Sequence, residues 1–98
     1  MSSSEALDAV GKVIETMRDL GCVDIESDVV TVGYNCVSAG LPGGGDVSVY
    51  VDNNGAEVVT SVPARGGWRR GSTPVHHAHV GWAVPALIKV AMDLRGAK

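Results

Sequence analysis

Residues 63–81 hold all three histidines of the chain, His76, His77 and His79, together with Arg65, Trp68, Arg69 and Arg70. On a helix, His76 and His79 would share a face at i,i+3, and Cys22 or Cys36 could complete a tetrahedral zinc site. The two cysteines stand fourteen positions apart, whereas structural zinc sites normally draw on a close Cys-x-x-Cys pair. The plainer reading makes the three imidazoles polar loop or interface groups, so no metal is expected.

The run Arg65-Gly-Gly-Trp68-Arg69-Arg70-Gly invites two kinds of contact. Guanidinium groups beside an exposed indole can hold single-stranded nucleic acid by charge and stacking. The same composition suits the centre of a protein–protein interface, where Trp and Arg are enriched. A third reading is structural, with Trp68 folded onto a sheet edge and the arginines reaching into water. Tyr50 is a further candidate contact residue, on an acidic strand face shared with Asp46 and Asp52.

Catalysis finds little support. Ser72 near the histidines is the one candidate nucleophile, and the chain has no Gly-x-Ser-x-Gly elbow. Asp46 and Asp52, six apart, read as a solvated strand edge rather than an acid–base pair. No catalytic residue and no cofactor are expected.

The elements that position these residues follow from composition and periodicity. Ninety-eight residues, 45% apolar and 19% charged, suit one folded domain spanning 1–98. Seventeen valines and no phenylalanine lean the core toward sheet. No apolar run approaches the ~18 residues that a membrane helix needs. The N-terminus reaches charged residues too early for a signal peptide, and two cysteines are too few for a disulfide framework. A cytoplasmic protein with free thiols is the expectation. The net charge of −3 is divided unevenly: residues 1–62 carry ten acids and two bases, residues 63–98 six bases and one acid. The field is oriented and suits steering of a partner.

Helical periodicity predicts a first helix over about 4–20, with Leu7, Val10, Val13, Ile14, Met17 and Leu20 inward, capped near Ser2 and stopped at Gly21. Period-two alternation predicts strands at about 29–37, 46–52 and 56–62. In the first, Tyr34 and Cys36 are expected on the apolar face and Asn35 on the wet one. Residues 38–45 read as a flexible loop that feeds a strand, and so not as a phosphate cradle. Asn54-Gly55 signals a two-residue hairpin that sets Val51 opposite Val58. The segment 63–81 reads as a long loop. A final helix is expected over about 82–95, ended by Gly96, with Pro85 in its first turn and Ala83, Ala86, Leu87, Val90, Ala91 and Leu94 inward. A short turn or helix at 74–80 precedes it, and Trp82 is expected to anchor it to the core.

The fold class is therefore α+β, a two-layer sandwich of αβββα order, with a three-stranded antiparallel meander carrying both helices on one face. This order resembles the double-stranded-RNA-binding domain and the small bacteriophage αβββα proteins of ABA-sandwich type, a group that includes some anti-CRISPR proteins. The RNA-binding resemblance implies a basic opening of the second helix. Here that opening reads Val84-Pro85-Ala86-Leu87-Ile88, and the first helix exposes Glu5, Asp8, Glu15 and Asp19, which would repel a phosphate backbone. The phage resemblance implies a non-enzymatic inhibitor of a bacterial defence or regulatory protein. The partner is expected to be a protein, bound through Arg65, Trp68, Arg69, Arg70, His76, His77, His79 and Tyr50. Single-stranded nucleic acid is the alternative, and homodimerisation is open to the free sheet edges.

Overall fold

The computed structural model of the chain describes residues 3–31 and 34–95. Helix α1 (Ser3–Asp19) leads into strands β1 (Val23–Thr31), β2 (Tyr34–Gly40), β3 (Asp46–Val51), β4 (Ala56–Ala64) and β5 (Gly67–Val75). A single 3-10 turn at His77–His79 then runs into helix α2 (Val80–Leu94). The strands form one antiparallel sheet in sequence order, β1-β2-β3-β4-β5. The α+β class and the meander are as expected, but the sheet has five strands where three were expected. The caps proposed at Ser2 and Gly96, and Val32 and Gly33 of the expected strand 29–37, lie outside the described residues. No helix among the described residues is long and apolar enough to cross a membrane.

The two additional strands are the sheet edges. β1 exposes Val23, Asp24, Glu26, Ser27 and Asp28, and β5 is exposed at every residue from Gly67 to Ser72. An edge strand with water on both sides needs no apolar alternation, so neither carries the period-two signature. The expected strand 29–37 is divided between β1 and β2, which pair with each other.

β2 also has the opposite phase to the one expected. Asn35, Val37 and Ala39 face the core, while Tyr34, Cys36 and Ser38 face outward. Residue pairing builds rows across the buried face: Asn35–Val51–Ala56–Val75, Val37–Val49–Val58–Thr73, and Ala39–Val47–Thr60–Gly71. One hydrophobic cluster joins this face to Val13 and Met17 of α1 and to Val84 and Ile88 of α2. α1 packs over β1–β3, α2 over β4 and β5, and the helices pack on each other.

Each helix keeps most of its expected stripe, with Val10 and Ile14 of α1, Leu20 just past it and Leu87 of α2 packed partly buried against the core, and departs from it at Leu7, Ala86 and Val90. α1 buries Ala6, Ala9, Val13 and Met17 and leaves Leu7 exposed. α2 buries Val80, Ala83, Val84, Ile88 and Ala91. Pro85 falls in the second turn of α2 rather than the first. Its missing N–H frees the carbonyl of Gly81, which is exposed and open to water.

The β3–β4 hairpin closes on Asp52 and Gly55, with Asn53-Asn54 as its two loop residues. Val49 therefore opposes Val58, a slip of two from the expected register that keeps every valine on its face. The Asp52 carboxylate supplies the reason: its Oδ1 accepts the N–H groups of Asn54 at 2.7 Å and Gly55 at 3.0 Å. An aspartate bonding its own turn replaces the positive-φ Asn-Gly geometry. The β2–β3 connection, residues 41–45, is tied by hydrogen bonds. Leu41 N–H meets the Gly45 carbonyl at 2.9 Å, and Arg95 donates Nη1–H bonds to the carbonyls of Pro42 and Gly44.

Candidate functional site

The segment expected as a long loop is mostly strand. Arg65-Gly66 is a two-residue turn between Ala64 and Gly67, and β5 then pairs with β4 from Gly67 through Val75. Alternation along β5 divides the Arg–Trp cluster. Trp68, opposite Pro63, and Arg70, opposite Ser61, lie on the open sheet face; Arg69, opposite Val62, lies on the helix-covered face. Arg65 sits exposed at the turn, and Trp68 is 62% exposed. Among the described residues no ion pair engages Arg65, Arg69 or Arg70.

The backbone of β5 alternates too. A two-residue hairpin closes on a hydrogen-bonded pair, here Ala64 and Gly67, and every second pair beyond it is hydrogen-bonded. Arg69, Gly71, Thr73 and Val75 accordingly point their backbone groups toward β4. Trp68, Arg70, Ser72 and Pro74 point theirs outward. Pro74 falls at an outward position, where the missing N–H removes no ladder bond.

The three histidines separate. His77 is buried, its Nε2–H donating to the Asp52 carbonyl at 2.6 Å and its Nδ1 lying 3.9 Å from the Glu5 carboxylate. It ties the β3–β4 turn to the start of α1. His76 is exposed and accepts the Ala78 N–H on Nδ1 at 3.1 Å, capping the 3-10 turn. His79 is exposed between His76 and Trp82, with ring centroids 5.6 Å from each. No three His, Cys, Asp or Glu side chains among the described residues are placed to hold a metal ion.

Trp82 corrects a further expectation. Instead of anchoring α2 it is 64% exposed. With Ala86 and Val90 it forms a second stripe on α2 at i, i+4 and i+8, and all three are exposed. This stripe overhangs the outer side of β5 and makes a groove with two adjoining hollows. One, about 310 Å³, is bordered by Thr73, Val75, His79, Trp82, Ala86 and Leu87. The other, about 180 Å³, lies between Arg69, Gly71 and Thr73 on β5 and Leu87, Val90 and Leu94 on α2. Gly71 and Thr73 are too small to fill the space beneath the helix. The exposed stripe was present in the sequence as Trp82-x-x-x-Ala86-x-x-x-Val90, but its exposure depends on which way α2 is rolled.

Tyr50 sits elsewhere, on the open face, stacked on Tyr34 with centroids 6.1 Å apart and planes 16° apart. A shallow concavity beside them is bordered by Asp52, Glu57, Pro74 and His76. Ser72 donates its hydroxyl to the Glu57 carboxylate at 2.6 Å, on an exposed surface and not to an imidazole. Cys36 also lies on this face, opposite Tyr50 and Asp28 rather than in the core. Burial pushes its thiol pKa up, Asp28 adds to the rise, and a hydrogen bond with Tyr50 opposes both.

Charge is separated across the sheet. Asp24, Glu26 and Asp28 line the β1 edge, and Arg65, Arg69 and Arg70 stand at the β5 edge. Four strand spacings of ~4.8 Å put these edges about 19 Å apart, beyond the ~8 Å screening length at physiological salt. The β1 acids therefore do not cancel the field at β5, where Glu57 is the carboxylate at hand, bonded to Ser72. Compared with known proteins, the chain matches no family model, no curated protein and no solved structure, and the functional reading rests on its own residues.

Proposed function

We propose that this is a non-enzymatic binding module that engages another protein along the β5 edge and the adjoining α2 stripe. One observation carries the reading: a free strand edge with outward backbone groups lies beside an exposed apolar stripe of Trp82, Ala86 and Val90. Exposed apolar surface beside a basic rim is what a contact site presents before its partner arrives. Trp68 at the far end and the Arg65–Arg70 cluster add residue types enriched where interfaces concentrate their energy. The narrower form, an inhibitor of a bacterial defence or regulatory protein, rests on the likeness of element order to small phage proteins. The observed order departs from that likeness by two strands.

A photo-crosslinking side chain at position 70 or 82, with position 12 on α1 as control, tests the reading in cell extract. Adducts to polypeptide at 70 and 82 but not at 12 are expected. Adducts that nuclease trims back to the size of the chain itself would instead favour single-stranded nucleic acid held by Trp68 and Arg70.

A further inference from the structure

We infer that the partner's contacting segment is an extended acidic–apolar peptide, added to β5 as a sixth strand beneath the α2 overhang. The inference rests on the protein-binding reading above and specifies the chemistry of what is bound.

Three observations converge on this occupant. The first is the backbone. Trp68, Arg70 and Ser72 each direct an N–H and a C=O away from β4, and Pro74 ends the run of donors. The ladder on offer is thus about five residues long, roughly 17 Å of extended chain at the antiparallel rise. Strand addition uses such an edge for affinity and reads alternate side chains for specificity.

The second is the apolar overhang. Residues directly opposite each other in a sheet share a face, so partner side chains opposite Arg69, Gly71 and Thr73 would point under α2. There they would meet Leu87 and the exposed Trp82, Ala86 and Val90. A sixth strand therefore completes the two-layer packing that five strands leave unfinished. Its helix-facing positions must be apolar and of moderate size to suit hollows of about 310 and 180 Å³.

The third is charge. The alternate partner positions, opposite Trp68, Arg70 and Ser72, lie on the open face beside the Arg70 guanidinium, with Arg65 at the turn; Arg69 lies on the helix-covered face, and the Glu57 carboxylate holds the Ser72 hydroxyl at 2.6 Å. None of the three arginines has an ion-pair partner among the described residues. Acidic residues opposite Trp68 and Arg70 match Arg65 and Arg70, and a neutral polar residue suits the position beside Ser72 and Glu57, so polar and apolar residues alternate with the acids at one end.

A second copy of this chain suits the edge less well. Pairing β5 with β5 would crowd Arg65, Arg69 and Arg70 of both copies along one seam. Pairing β5 with the acidic β1 edge would meet a strand whose ladder shifts register between Val23 and Glu26 and again between Val29 and Thr31. Asp24 there has φ of 53°, outside extended geometry.

The probe is a fluorescent peptide, Gly-Val-Ser-Val-Glu-Leu-Glu-Gly, which, run antiparallel to β5, sets its apolar residues opposite Thr73, Gly71 and Arg69, and it is titrated against the whole chain. Hydrogen exchange is followed on the outward amides of Trp68, Arg70 and Ser72. Saturable binding is expected, weakened by salt and by Arg69→Glu with Arg70→Glu, with new protection at those three amides. Ser72→Pro should weaken binding about tenfold, the effect of one or two lost hydrogen bonds, and Ser72→Ala should not. Ala86→Glu should also weaken it, and Lys12→Ala should not. N-methylation of the peptide's β5-facing amides makes the same test on the unaltered protein, should Ser72→Pro fold poorly. Loss of binding in Ala86→Glu, with indifference to Ser72→Pro and to N-methylation, would overturn strand addition while leaving the protein-contact reading intact. Absence of binding at millimolar peptide, tighter binding of a Lys-for-Glu peptide, or a sedimentation dimer that dissociates in Ser72→Pro would each overturn the proposed occupant.

Discussion

The ring of His77 and the backbone carbonyl of Asp52 are joined by a 2.6 Å hydrogen bond that spans 25 residues of sequence. In a tight hairpin that carbonyl would ordinarily take the N–H of Gly55. Here Gly55 N–H is taken by the Asp52 carboxylate instead. The carbonyl is left for His77, and one aspartate accepts from three groups, the N–H of Asn54, the N–H of Gly55 and the His77 ring.

His77→Ala removes this bond and opens space at a buried position. A loss of about 2–3 kcal/mol is expected from an unsatisfied acceptor plus lost packing. In a chain of this length each kcal/mol lowers Tm by about 4–8 °C. His77→Gln keeps a donor and should lose less. Urea unfolding checks both, through a lower midpoint at unchanged slope.

Asp52→Asn and Asp52→Ala separate the charge of the turn from its acceptor. Asn retains an oxygen for the N–H groups of Asn54 and Gly55 and should fold nearly as well as the parent. Ala loses both bonds and should cost about 1–2 kcal/mol. Equal destabilisation by the two variants would show that charge, not the accepted hydrogen bonds, holds the turn.

Gly43 and Gly45 both have positive φ, at 84° and 100°. A Cβ at Gly45 would lie 2.6 Å from the Ser61 carbonyl oxygen, whereas one at Gly43 would meet only the Arg95 guanidinium, at 2.9 Å. A side-chain end can move and a sheet carbonyl cannot. Gly43→Ala should cost about 1–2 kcal/mol, for strained backbone and for moving the Arg95 guanidinium off the Pro42 and Gly44 carbonyls. Gly45→Ala should cost clearly more, in thermal unfolding of the two variants side by side.

Cys22 and Cys36 both have raised thiol pKa values, Cys22 through burial and Cys36 through burial and the charge of Asp28. A raised pKa means less thiolate at a given pH, so alkylation of either should be slow near neutrality and accelerate above pH 9. Folded thiols that resist ionisation also withdraw stability as pH rises from about 9 through their raised values, with no effect below. In a Cys22→Ala background, Asp28→Asn should speed Cys36 alkylation and Tyr50→Phe should slow it. Iodoacetamide kinetics at fixed pH give both signs.

Legibility in the sequence followed burial. The β3–β4 pair was readable because Val47, Val49, Val51 and Val58 alternate against water, and both helices were readable from their apolar content. β5 was not, since Gly67-Trp-Arg-Arg-Gly-Ser meets solvent on both faces and no side chain there reports the strand. For the candidate site, the sequence singled out Arg65, Trp68, Arg69 and Arg70. It grouped His77 with His76 and His79, because adjacent residues look alike until one of them is buried. Trp82 was assigned to the core on the general tendency of large aromatic residues, which the roll of α2 overrides.

Local pattern by itself determined the α+β class, the positions of α1, β3, β4 and α2, and the charge division between the two parts of the chain. These depend on neighbours within a few residues, where periodicity and turn chemistry act. Tertiary structure decided the pairing of β1 and β5, the roll of each helix, the burial of His77 and the exposure of the Trp82–Ala86–Val90 stripe. Those outcomes depend on which surface meets which across the fold. Ala86 and Val90 fit the apolar stripe of α2 as well as Ala83 and Ala91 do, so local pattern does not say which of them meets the sheet. Only the packed whole selects among them.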